Sequence, residues 1–156
     1  MPVPKAHQNP ESLLYLEKGI GKVCDKIDYP LVPPGEYEAR FKNYKTFQMY
    51  GGGGKLRAFF TITDPGPAFG VAVPRFWNVT LTKRGFTVGK RTVFLREFCR
   101  LFPEYLLMRR ERIPMSYFRG KAFMIRVQTV DTDRQRRAIP EQVHYSKVAE
   151  ILEVLC

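Results

Sequence analysis

Acidic side chains are scarce in this sequence. In 156 residues, 15 Asp and Glu stand against 26 Lys and Arg, a formal net charge of +11. Histidine occurs only at positions 7 and 144, and cysteine only at 24, 99 and 156, with no CxxC pair. That donor set argues against a structural zinc site, and no metal or other cofactor is expected. Widely spaced, odd-numbered cysteines also argue against a disulfide framework and for a reducing, cytoplasmic compartment. Cys24 and Cys99 are expected to be small apolar fillers, and Cys156 an exposed thiol. No apolar run approaches the ~18–20 residues that span a bilayer. The first residues, MPVPKAHQNPES, lack the apolar core of a secretory signal. No long basic amphipathic helix is present, so no membrane partner is expected. The four glycines at 51–54 are not followed by GKS or GKT, which rules out a phosphate loop.

What the chain has instead is positive charge gathered in its middle. Residues 1–39 carry 4 basic and 6 acidic groups, 40–81 carry 6 and 1, 82–137 carry 15 and 5, and 138–156 carry 1 and 3. Aromatic residues interleave with the basic ones. Phosphates attract Lys and Arg, and unstacked bases attract π-faces, so this combination points to single-stranded nucleic acid. A hydrophobic fraction of 44% supports one core. The expected organisation is an N-terminal arm or short helix over 1–28 and a single domain over 29–156.

From Glu36 the pattern has period two. Tyr37, Ala39 and Phe41 share one face; Glu38, Arg40, Lys42 and Tyr44 share the other, giving a half-buried strand with a cationic outer side. The glycines at 51–54 suit a hairpin loop. A second strand over 55–63 places Leu56, Ala58, Phe60 and Ile62 on the core face, with Lys55, Arg57, Phe59 and Thr61 opposite. A third, over about 69–81, carries Val71, Val73, Arg75, Trp77 and Val79 on one face. Pro74 within it implies a bulge or an edge position. From Thr92 the spacing turns helical, with Phe94, Leu95, Phe98, Leu101 and Phe102 in one stripe that ends at Pro103. A second short helix is expected over 104–112. Phe123, Ile125 and Val127 mark a further strand, and 143–155, which also admits a strand or a short strand leading into a helix, reads best as a closing helix.

This is a mainly β chain with one or two helices. Three strands, a helix, then further strands is the layout of an OB-like barrel with its helix between strands 3 and 4; an α+β roll is the alternative. In such a barrel one sheet face grips the ligand, flanked by the loops after strands 1 and 4. Here those are 51–54 and the arginine-bearing 131–137. The stretch LVPPGEYEAR at 31–40, the glycine-rich turn and PGPAFG at 65–70 resemble small single-stranded-DNA-binding proteins of phages and mobile elements. The resemblance covers roughly residues 30–102. It implies an OB-like core and a role in replication or recombination, with a protein of that process as a further partner. The acidic, flexible tail of housekeeping single-strand binders is absent, and EILEVLC at 150–156 reads as folded.

The expected stacking residues are Tyr44, Phe59 and Trp77, although Trp77 shares its face with Val71, Val73 and Val79 and is equally a core candidate. The expected phosphate contacts are Arg40, Lys42, Lys55, Arg57, Arg75, Lys83, Arg84, Arg134, Arg136 and Arg137. Arg109, Arg110 and Arg112 form a separate cluster that fits a solvated helix face equally well. Because stacking tolerates any base, no sequence preference follows. Small barrels of this kind often assemble, so a homo-oligomer is compatible with the reading. Enzymatic readings are weaker. The carboxylate pairs Glu36/Glu38 and Asp131/Asp133 are better read as edge charges and local ion pairs than as a magnesium site, and for a hydrolase His7 lies in the expected arm and His144 reads as a structural or surface residue. The competing class is a protein–protein adaptor or inhibitor that turns its basic face on an acidic partner, since an acidic protein and a polyanion attract the same cations.

Overall fold

The period-two segments fold as strands. The computed structural model describes residues 29–50, 52–104, 114–133 and 135–156. The expected arm over 1–28 lies outside them, as does nearly all of the expected helix over 104–112, with Arg109, Arg110 and Arg112. One six-stranded antiparallel sheet has the order β4-β3-β2-β1-β5-β6. Its strands are β1 (Gly35–Gln48), β2 (Gly54–Ile62), β3 (Ala72–Thr82), β4 (Gly85–Thr87), β5 (Ala122–Val130) and β6 (Tyr145–Val154). The helix α1 (Val93–Leu101) follows β4, and short 3-10 turns occupy Met115–Phe118 and Glu141–Val143. The chain is thus mainly β with one α-helix among the described residues.

Two elements depart from the sequence expectation. The segment 143–155 is strand β6, not a helix. The stretch 63–71 is a loop stapled by turns at Gly66 and Gly70, which leaves Phe69 exposed and starts the third strand at Ala72. Pro74 sits opposite Phe59 without a bulge. It lies where β3 has no strand on its far side, because β4 pairs only with Thr80–Thr82, so its missing N–H costs no ladder bond.

One face of the sheet carries the core. Leu56, Ala58, Phe60 and Ile62 of β2 are fully buried with Ala39, Val73, Phe123, Ile125, Val148 and Ile151. Helix α1 covers this face with Phe94, Leu95, Phe98 and Leu101. Its start is fixed by Thr92, whose hydroxyl accepts from the Leu95 N–H at 3.3 Å. Phe118, from the 3-10 turn, lies at the centre of this core and touches the rings of Phe41, Phe60, Trp77, Phe98, Phe102 and Phe123. Cys99 is exposed rather than a core filler, because it falls on the outer side of α1, away from that stripe.

Successive antiparallel pairings make β3 and β6 run in the same direction, and the sheet curls until they approach each other. Side chains, not a main-chain ladder, seal this seam. Arg75 on β3 reaches the Val148 carbonyl at 3.5 Å, and Glu97 of α1 accepts from the Ile151 N–H at 3.4 Å. Arg100 of α1 donates to the carbonyls of Ile151 and Leu152. At the start of β6, residues 30–32 take over: Ser146 N–H donates to the Pro30 carbonyl at 2.8 Å. The edge of β6 is thereby satisfied without a neighbouring strand, which blunts it as a template for pairing with another chain.

Candidate nucleic-acid interface

The outer face of β1, β2 and β3 carries the cationic residues that the alternation assigns to it. On β2, Lys55, Arg57, Phe59 and Thr61 point away from the core strip Leu56–Ala58–Phe60–Ile62, and the registers set them beside Arg40, Asn43, Lys45 and Phe47 of β1 and Pro74, Phe76 and Asn78 of β3. Arg40, Lys55, Arg57 and Phe59 therefore lie on one surface, as the sequence implies, and Lys42 is exposed at the register slip beside them.

Tyr44 does not join them. The register slips between Phe41 and Asn43, where β1 holds one residue more than β2. Such a bulge reverses the alternation downstream. Tyr44 now pairs with Ala58 on the core side, beyond the packed region, and is 41% exposed. Phe47 is carried the opposite way, onto the cationic face opposite Lys55.

Arg75 and Trp77 are not on this surface either. Both face the core, with 9% and 3% exposure. Glu97 accepts from Arg75 Nε and Nη2, each at 3.1 Å, and from Trp77 Nε1 at 3.0 Å, while the Arg75 guanidinium lies 5.2 Å from the indole. A carboxylate partner offsets the cost of burying a guanidinium, and the pair leaves neither residue a surface to offer a ligand. Glu97 gave a signal in the sequence: it occupies the apolar stripe of α1, three residues after Phe94 and four before Leu101.

Arg57 is the other buried cation, 8% exposed. It sits among rings: its guanidinium carbon lies 4.9 Å from the Phe59 centroid, 5.7 Å from Phe47 and 6.0 Å from Tyr29. Nη1 donates to the Tyr29 hydroxyl at 3.0 Å, and Nε has no hydrogen-bond partner. No carboxylate within ion-pair reach of Arg57 occurs among the described residues, in contrast with Arg75. Phe47, Phe59 and Phe76 are half-buried around it.

The ends of the face are basic. Lys83 and Arg84 form the exposed turn between β3 and β4. They lie at the same end as the β1–β2 loop, since Gly54 pairs with Val79 and β3 continues to Thr82. The loop before β6 lies at the other end, past the start of β1. Arg136 and Arg137 are exposed there, Arg136 with a left-handed φ of 61°, and Arg137 pairs with Asp133 at 3.7 Å. Arg134 lies outside the described residues. Asp133 also accepts the Gln135 and Arg137 N–H groups, so it is engaged in shaping this loop. His144 Nε2 lies 3.0 Å from the Ile139 carbonyl. Among the described residues no group of three metal-ligating side chains occurs, and no helix is long and apolar enough to cross a membrane.

Beyond β1 the same outer face changes character. Arg126 on β5 bridges Glu36 of β1 at 3.4 Å and Glu150 of β6 at 3.1 Å, and Glu150 reaches Arg100 at 3.6 Å. These charges neutralise one another. Arg40 and Lys42, by contrast, are exposed and have no carboxylate within ion-pair reach among the described residues. No protein-family model, curated protein or solved structure matches the chain.

Proposed function

We propose that this protein binds single-stranded nucleic acid, most naturally DNA, across the outer face of β1, β2 and β3. The observation that carries the reading is Arg57: a buried cation with no carboxylate in ion-pair reach among the described residues, ringed by Phe47, Phe59 and Tyr29, with Lys45 opposite it on β1 and Arg40 further along that strand. A phosphate supplies the missing anion, and the rings of Phe47 and Phe59 supply faces for bases. The strand order β3-β2-β1-β5-β6, with the helix before the fourth long strand, fits an OB-type barrel left unzipped at its seam. In that arrangement the β1–β2 loop and the loop before β6 flank the binding face. The likeness of residues 30–102 to phage and mobile-element single-strand binders favours the same reading and a role in replication or recombination.

The test is fluorescence anisotropy with labelled dT, RNA and duplex oligonucleotides. Single strands are expected to bind at least tenfold more tightly than duplex. Phe59→Ala should lose the stacking contribution of about 1–3 kcal/mol, roughly 5- to 150-fold in affinity. Weak binding that ignores strandedness and survives Phe59→Ala overturns the reading, and the basic face is then a surface for an acidic protein.

A further inference from the structure

Resting on that reading, we propose that residues 29–32 form a strap whose tyrosine occupies the position of a nucleobase, and that single-stranded nucleic acid enters only when the strap lifts. Tyr29 is 1% exposed. Its ring stacks on Phe59 at 6.2 Å and 26°, meets Phe76 edge-on at 5.6 Å, and touches Tyr145 at 5.5 Å. Its hydroxyl accepts the hydrogen bond from Arg57 Nη1 that a phosphate oxygen would otherwise accept. A flat ring on aromatic faces with an oxygen on a guanidinium reproduces, in outline, the two contacts a nucleotide makes on such a surface. The unpartnered Arg57 Nε shows that the imitation is incomplete: one donor of this fork stays unused, and a buried donor left unpaired is a standing cost that an anionic ligand removes.

The attachment of the strap suits release. Pro30, Pro33 and Pro34 have no N–H, so the segment cannot zip along a sheet edge. Its hydrogen bonds to β6 run through one residue, while the Tyr29 ring rests on Tyr145 and the Val32 side chain is buried in the core. Ser146 N–H donates to the Pro30 carbonyl, and the Ser146 hydroxyl accepts from the Val32 N–H at 2.8 Å and donates to the Val32 carbonyl at 3.0 Å. Leu31, between them, is exposed. Breaking contact with this serine and withdrawing the Tyr29 ring and the Val32 side chain uncovers Arg57, Phe59 and Phe76 together.

The experiment uses the full chain and an unlabelled dT oligonucleotide. In hydrogen exchange on the wild-type protein, the Val32 and Ser146 amides should exchange faster with dT bound than without it. Tyr29→Ala and Ser146→Ala should each bind labelled dT more tightly, about tenfold if the strap is closed nine-tenths of the time. If wild type binds dT, the two amides are unchanged or better protected, and neither variant binds more tightly, Tyr29 is a fixed wall; the strap is overturned and the binding face stands. If none of the three folded proteins binds dT, the strap and the binding face fall together. Should Tyr29→Ala not fold, exchange at the two amides decides between strap and wall.

Discussion

At the scale of single residues, the two buried arginines divide structure from function. Arg57 and Arg75 belong to adjacent register pairs of neighbouring strands and face opposite sides of the sheet, yet Arg75 has a carboxylate and Arg57 has none in reach among the described residues. Glu97 gives Arg75 a bidentate partner, holds the Trp77 indole N–H and takes the Ile151 amide. Removing it orphans four donors, from three residues, at once across the seam. Glu97→Ala should therefore cost about 3–5 kcal/mol in urea unfolding, the range for stripping one partner from a buried ion pair. Replacing both partners with apolar residues, Arg75→Met with Glu97→Met, should be less damaging than Glu97→Ala alone, because no charge is left stranded. Additive losses would show that the pair is not energetically coupled. No such deficit is expected from Arg57→Met, whose donor to Tyr29 is neutral-paired and whose Nε is already unused.

At the scale of elements, alternation was readable wherever the ladder is regular and misleading wherever it is bulged. β2 and β5 follow their sequence pattern residue for residue. β6 does not look like a strand because its partner register slips twice, once between Met124 and Ile125 and once between Arg126 and Val127. Val127, Ile125 and Phe123 alternate on β5, but they face Val148, Ile151 and Val154. Two bulges stretch a spacing of two into a spacing of three, which imitates a helical stripe. The single bulge in β1 explains the misplacement of Tyr44 and the hidden Phe47 in the same way. Bulges are set by packing against the partner strand, and a single-chain pattern does not reveal them. The glycine loop shows a different kind of constraint. A Cβ on Gly54 would stand 2.6 Å from the Val79 carbonyl oxygen and 2.8 Å from Leu81 Cγ, whereas one on Gly53 would meet nothing within 4 Å. Gly54→Ala should thus destabilise the β1–β2–β3 meander by about 1–3 kcal/mol, as overpacking does. Gly53→Ala, at the adjacent residue, should be neutral or stabilising by up to about 1 kcal/mol. Thermal melts of the two variants separate a packing requirement at Gly54 from a mere need for loop flexibility.

At the scale of the whole molecule, the charge that dominates the composition is sorted by the fold into two regions of one outer face. Sequence reasoning found the cationic strands and their end loops. It could not tell that Arg126 and Arg100 are spent on Glu36 and Glu150, because those partners lie as far as 90 residues apart in the chain and meet only across the sheet. The inward turn of Arg75 and Trp77 was hinted at by the valines that share their face and by Glu97 in the apolar stripe of α1, but the pairing across 20 and 22 residues was not. The sorting has a thermodynamic signature. Six phosphates neutralised on a single strand give a slope of log Kobs against log[salt] of about −0.7 × 6, near −4. Cations that release counterions from the ligand change that slope when removed, each by about 0.7; cations already paired with carboxylates do not. Lys42→Gln and Arg40→Gln, on the unpaired region, should each flatten the slope by roughly that amount. Arg126→Gln, within the neutralised ladder, removes the same formal charge and should leave the slope unchanged while shifting stability by under about 1 kcal/mol, as exposed ion pairs do. Equal flattening by all three would mean that binding follows the net charge of the protein as a whole, and that the face of β1, β2 and β3 has no privileged role.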